Sequence, residues 1–321
     1  MSGTPGEAMA RGGTARPRAY VGLVALAAVP VLLAALPIVP LSLGLGVGLV
    51  PGVLAAAVVG LGGAVALGPA LVERRTARLP DADLDDRPAA FIEDRVADVA
   101  GEVGVPEPDV TVVRADAANV AVTDGYRGAR LVVSTRLLSL PAADRDAALR
   151  HAIVRLRGRD AAITTALLPA LVAVETLALL ATLLVGRRNE RTAADRRVNR
   201  IHGYEPEGDR VPGPAYTAAG VLLWLALVPV WVPSVLGDRL FVAERRRAAD
   251  VAVARTGDEG RAGIANAIGF ARDAAGAADW PPLLDRLSLV TMADEETGRV
   301  RGTSRQETRV RLARLRSKRA L

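Results

Sequence analysis

From residue 20 to residue 72 the chain carries no charged side chain, a run far longer than any core helix of a water-soluble protein requires. Residues 20–39 and 41–71 are each long enough to cross a bilayer, and Pro37, Pro40 and Ser42 supply a tight turn between them. The stretch 20–72 is therefore expected to be a transmembrane helical hairpin. Gly44, Gly46, Gly48, Gly60, Gly62 and Gly63 give its second arm a surface on which another helix can approach closely. Residues 1–19 have no periodicity and read as a disordered cytoplasmic tail. A cleaved signal peptide does not fit, because the apolar run continues into a second one.

The composition turns polar at Pro80. Residues 81–86 are an acidic helix start, and Phe91, Ile92, Val96, Val99 and Val103 recur at helical spacing until Gly104 and Pro106. Residues 110–114, 119–123 and 130–134 are strand candidates, with Asp124, Gly125 and Gly128 as turn material. They predict a small antiparallel sheet. Pro141 then opens a helix to about residue 160, in which Leu149, Ile153 and Leu156 form the buried face.

Residues 161–186 and 216–236 form a second apolar pair, again of spanning length. The first is interrupted by Glu175, which within a span is a functional candidate or the partner of a polar group on a neighbouring helix. The intervening 187–215 loop carries seven Arg and five acidic residues. Basic residues flank the open ends of the first hairpin (Arg16, Arg18; Arg74, Arg75, Arg78), which places the N-terminus and the segment after residue 73 in the cytoplasm. The 187–215 loop would then lie outside, against the same rule, so the second pair is expected either to span despite it or to lie in the interface.

Charge and composition narrow the chemistry. The net charge of +6 rests almost wholly on Arg, Lys318 being the lone Lys, and the basic clusters lie beside the apolar runs and at the C-terminus. Anionic headgroups are their natural partners. Aromatic residues are not interleaved with them, so nucleic acid is set aside. No Cys is present, which excludes disulfides, thiolate metal sites and thiol nucleophiles. Only His151 and His202 remain for metal binding or acid–base work. No phosphate-binding loop, nucleophile elbow or dinucleotide fingerprint occurs.

Several segments resemble a known pattern in order and spacing. Residues 91–113 (FIEDRVADVAGEVGVPEPDVTVV), Asn119-Val120-Ala121-Val122, Val133-Ser134-Thr135-Arg136-Leu137-Leu138, residues 145–160 (RDAALRHAIVRLRGRD), residues 245–250 (RRRAAD) with Thr256-Gly257-Asp258, and residues 308–315 are similar to successive pieces of the HtpX-like membrane zinc metalloproteases. The resemblance implies an α+β integral membrane protein: transmembrane helices plus a mainly helical zincin (gluzincin) domain with a small antiparallel sheet. Its first half would be residues 80–160 and its second half, with a basic tail, residues 237–321. The second apolar pair and its loop would be inserted between the halves.

The chemical groups of that family are missing in the same alignment. In H-E-x-x-H one helix face presents both His to zinc and the Glu serves as general base. Here the first His is His151, the Glu position is Ala152 and the second His position is Arg155. The family's third ligand falls on Arg246, and only Asp250, which matches a residue orienting a ligand His, is retained. One His cannot supply three ligands, and two guanidiniums repel a divalent cation. The expectation is a pseudoprotease with no catalytic residue, no metal and no cofactor. In it His151 bonds to Asp250, and Arg155 or Arg246 pairs with Asp250 or Glu244 in place of the metal.

The functional expectation is a multi-pass cell-membrane protein with a cytoplasmic domain, whose partners are the lipid bilayer and either membrane-protein segments or an active protease homologue. The alternative is an active zinc metalloendopeptidase with rearranged ligands, cleaving membrane or misfolded proteins.

Overall fold

The computed structural model describes residues 17–79, 82, 86–184, 214–274, 280–291 and 305–317. The expected tail at 1–16, most of the acidic helix start, the 187–213 part of the Arg-rich loop with His202, and Lys318–Arg319 lie outside the described residues.

Four helices are long and apolar enough to cross a membrane. They belong to α1 (Pro17–Gly44), α2 (Leu49–Thr76), α6 (Asp160–Leu184) and α7 (Pro214–Gly237). Between them lie α3 (Asp86–Val103), β1 (Asp109–Val113), β2 (Val120–Gly125), β3 (Gly128–Ser134), α4 (Thr135–Leu138) and α5 (Ala142–Arg157). After α7 come a π-helical turn (Asp238–Val242), α8 (Ala243–Ala254), α9 (Asp258–Asp273), a 3-10 turn (Pro282–Leu287) and α10 (Arg305–Arg316).

The four long helices touch in a closed ring, α1 on α2, α2 on α6, α6 on α7 and α7 back on α1. The second apolar pair thus belongs to the same bundle as the first. Outward-facing side chains such as Leu54, Val58, Val65, Leu222 and Leu225 stand exposed around it, as a lipid-facing surface requires. The first turn lies later than expected. Helix α1 continues through Pro30, Pro37 and Pro40 to Gly44, and the reversal is made by Gly46 and Gly48, which have φ of 73° and 101°. A left-handed backbone is open to glycine at no steric cost, whereas proline drops one helical N–H and crowds the carbonyl four residues back, which packed helices in a membrane tolerate. Ser42 closes the turn by donating from Oγ to the Gly48 carbonyl at 2.7 Å.

Helix α2 buries Gly52, Ala56, Gly60, Ala64, Gly68, Val72 and Thr76, every fourth residue along its length. At 3.6 residues per turn, such a row drifts by about 40° at each step. One end of the row therefore faces α1 and the other faces α6. A β-carbon at Gly60 would stand 2.5 Å from the Pro30 carbonyl oxygen, and one at Gly68 would collide with the main chain of Thr165 and Ala166.

The sheet has the order β1-β3-β2, with β1 parallel and β2 antiparallel to β3. It is mixed, not the antiparallel sheet expected. The chain crosses from β1 through buried Ala115, Ala117 and Ala118 and leaves room for β3 to insert between β1 and β2. Returning from the hairpin, β3 must then run alongside β1 in the same direction. Alternation assigns the two faces. Val120, Val122, Leu131 and Val133 join a core with Ile92, Val96, Leu149, Ile153, Ile264 and Ile268. Ala121 and Val132 face the other way, onto Val72 of α2, Leu168 of α6, Trp280 and Leu287. The sheet is thereby held between the bundle and the helical core of the head.

Replacing Gly68 with Leu should separate α2 from α6, because its neighbours there are main-chain atoms that cannot rotate away. A loss of about 1–3 kcal/mol is expected for such overpacking, read as a lower unfolding midpoint in detergent. Gly62→Leu, where a β-carbon meets nothing within 4 Å, should leave the midpoint unchanged.

Candidate functional site

Helices α5 and α8 lie against each other and bring together the sequence-predicted residues. His151, Ala152 and Arg155 lie buried on α5, and Arg246 and Asp250 lie buried on α8. His151 Nε2 stands 3.2 Å from Asp250 Oδ1 and 3.4 Å from the Arg246 carbonyl oxygen. Arg311 Nη2, a donor, stands 3.4 Å from the same nitrogen, and Nδ1 has no hydrogen-bond partner among the described residues. Burial lowers the His151 pKa, Asp250 draws it back up, and Arg311 and Arg155 push it down again.

The fork on Asp250 comes from Arg311, one of the C-terminal basic residues expected to face anionic headgroups and here buried. Arg311 of α10 donates from Nε to Oδ2 at 2.7 Å and from Nη2 to Oδ1 at 2.8 Å. Its Nη1 reaches the Leu289 carbonyl at 2.7 Å. Burial alone would lower the Arg311 pKa, but the Asp250 carboxylate raises it on balance. A signal existed for this residue. Thr308, Arg311, Leu312 and Leu315 follow i, i+3, i+4, i+7 spacing, so Arg311 shares the stripe of the buried leucines.

Arg155 and Arg246 point into the segment 285–291. Arg155 donates from Nη1 to the Leu287 carbonyl at 2.5 Å and from Nη2 to the Arg286 carbonyl at 3.0 Å. Arg246 donates to the Ser288 carbonyl at 3.1 Å, to Thr291 Oγ1 at 2.8 Å, and to the Asp285 carbonyl. The Val290 carbonyl accepts from Asn119 Nδ2 at 2.8 Å. Every carbonyl from Asp285 to Val290 is therefore met by a side chain. The Asp285 carbonyl also accepts the Ser288 N–H of the 3-10 turn at 3.3 Å, and any of these carbonyls would be costly if left unpaired in the interior.

The same segment adds to the open edge of β2. Leu289 N–H donates to the Val120 carbonyl at 2.8 Å, and Ser288 forms an antiparallel bridge with Ala121. Burial first, and the neighbouring Arg246 charge second, push Arg155 down to about 9, so it remains protonated at neutral pH. Glu307 on α10 is the further acid near this cluster. Burial raises its pKa, while Arg246 and Arg311 pull it back.

Zinc would need three protein donors at about 2.0–2.3 Å and an open position. The donor set here does not fit. His151 Nε2 is engaged with Asp250, Ala152 has no donor, and the remaining positions of the pattern carry guanidiniums. Among the described residues no group of three or more His, Asp and Glu stands together as a ligand set.

A second ionic cluster joins the head to the bundle. Arg286 forks onto Asp238, Nε to Oδ1 at 2.8 Å and Nη2 to Oδ2 at 2.9 Å, and Nη2 also reaches Glu175 Oε1 at 2.7 Å. Glu175 is thus the partner of a cation from the 3-10 turn.

The fold defines a class: a mostly helical chain with four candidate spans, consistent with a multi-pass membrane protein, carrying a small mixed sheet. Comparison with protein-family models, curated proteins and solved structures finds no match to this chain.

Replacing Arg311 with Met would leave the Asp250 carboxylate buried without its fork, and unfolding in detergent should show a loss of about 3–5 kcal/mol. Adding Asp250→Asn should recover part of that loss. The imidazole supplies a pH test. Unfolded His151 takes up a proton near pH 6.5, its ordinary value, whereas the folded ring, lowered by burial, does so only at lower pH. The unfolded state then binds more protons, and stability falls as pH drops below about 6.5. The midpoint difference between pH 7.5 and pH 5.5 should shrink in His151→Gln.

Proposed function

We propose that this chain is a non-catalytic member of the HtpX-like protease type, anchored by four membrane spans, whose head binds membrane-protein segments or an active homologue. The observation that supports it best is the use made of Arg155 and Arg246. At two positions where the resemblance would put metal ligands, buried guanidiniums are committed to the carbonyls of residues 285–288. A divalent ion brought there would meet these two cations and Arg311 beside them.

Orientation follows from the ends of the spans. The head-side ends of α1 and α2 carry Arg18, Arg74, Arg75 and Arg78, and the turn after α7 carries Arg239, which favours a cytoplasmic head.

Metal analysis of the detergent-purified full-length protein, combined with a casein-type proteolysis assay, tests the reading. The expected result is zinc well below one equivalent and no chelator-sensitive cleavage. Stoichiometric zinc with cleavage abolished by a chelator would overturn the proposal in favour of an enzyme with rearranged ligands. Co-purification of an intact membrane protein or of a homologue bearing H-E-x-x-H should accompany the first result.

A further inference from the structure

The tip of the β2–β3 hairpin carries two large side chains. Gly125 pairs with Gly128, leaving Tyr126 and Arg127 as a two-residue loop, a place where Asn-Gly or a similar small pair is favoured. The positive φ is taken by Gly128, at 111°. An aromatic ring and a guanidinium are thus carried at the apex, and both side chains are exposed, Tyr126 by 63%.

The apex leans on the head-side end of α2. Arg127 N–H donates to Glu73 Oε1 at 2.9 Å, and Gly125 packs so close to the same carboxylate that a β-carbon would stand 2.6 Å from it. The Tyr126 hydroxyl donates to the Ala66 carbonyl at 2.6 Å. Ala66 precedes Glu73 by two turns, about 10 Å along the axis. The ring therefore lies beside the last apolar turns of the span, while the Arg127 backbone sits level with its first charged residue. Exposed Arg74 and Arg75 follow on α2 at that level.

We propose that Tyr126-Arg127 is an interfacial anchor, with the Tyr126 ring seated at the acyl–headgroup boundary and Arg127 on the phosphate of an anionic phospholipid. An amphipathic ring with a polar tip suits that layer, and the basic residues around it complement an anionic headgroup. The surface is continuous with the exposed apolar face of α2, including Leu67. The anchor rests on the membrane reading of the bundle and not on the protease resemblance. Its consequence is that the head's sheet is positioned by lipid as well as by the spans.

The chain has no Cys, so a single introduced thiol can be labelled without background. Tyr126→Cys and, separately, Leu67→Cys in the full-length protein would carry a fluorophore in nanodiscs of mixed phosphatidylglycerol and phosphatidylcholine. Bilayer depth is read by quenching from brominated lipid and exposure by quenching from aqueous iodide. The expected result is strong quenching by brominated lipid at both positions, with brominated phosphatidylglycerol preferred at residue 126. Adding Arg127→Gln should reduce that preference about fivefold. Quenching at residue 67 by lipid, but at residue 126 by iodide alone or by neither agent, would overturn the anchor while leaving the spans intact. Neither agent reaching residue 126 would mean that a protein surface covers it. Failure of lipid to quench at residue 67 would overturn the membrane reading itself and the anchor with it.

Discussion

A guanidinium keeps its charge near neutral pH and presents five N–H donors, so a fold that buries one must supply acceptors where water has been removed. This protein buries Arg155, Arg246 and Arg311 side by side. Asp250 takes the fork of one, and consecutive main-chain carbonyls between Asp285 and Leu289, with the Thr291 hydroxyl, accept most of the other donors. The demand runs both ways. The guanidiniums cannot stay buried without those acceptors, and the segment's buried carbonyls gain donors from them. Cations and segment hold each other in place at the centre of the head.

The segment also reaches outward in two directions. Through Asn119 and the β2 edge it is continuous with the sheet, and through Arg286 it is tied to Asp238 and Glu175 beneath it. Paired buried ions of this kind favour a unique arrangement more than they favour stability. Close helix approach at Gly60 and Gly68 sets the bundle, the ion cluster sets the head on it, and the arginine–carbonyl lattice closes the head. Between α5 and α8 the attachment runs through the His151–Asp250 contact and through the segment that Arg155 and Arg246 both grip.

Much of this was legible along the chain. Uninterrupted apolar length identified the long helices, because a bilayer demands about 20 apolar residues whatever their order. Helical spacing identified α3 and α5, with Gly104 and Pro106 marking the end of the first, while α5 ends at Arg157 rather than near residue 160. The helical segments containing His151, Arg155, Arg246 and Asp250 lie against each other in the fold. The course of the sheet was not legible. Strand candidates fix which residues alternate, but β3 enters between β1 and β2 only because of how the chain crosses at residues 114–119. The proline-based turn was misplaced because a helix in a bundle tolerates proline at little cost, whereas reversal needs a backbone that only glycine adopts freely.

By itself the sequence determined that the chain carries spans of membrane length, that it lacks thiols, and that arginines stand where the resemblance would want ligands. Those are properties of composition and spacing, and they survive any folding. Only the tertiary structure decided what the arginines do. The sequence pattern offered Asp250 or Glu244 as partners for Arg155 and Arg246, since opposite charges are the obvious match. The fold instead gave the Asp250 fork to Arg311, from a helix about 60 residues further along the chain, and turned the other guanidiniums onto main-chain carbonyls. Acceptors on the backbone carry no signature in side-chain chemistry. They become visible only when a distant segment is laid across the site and its unpaired oxygens have to be met.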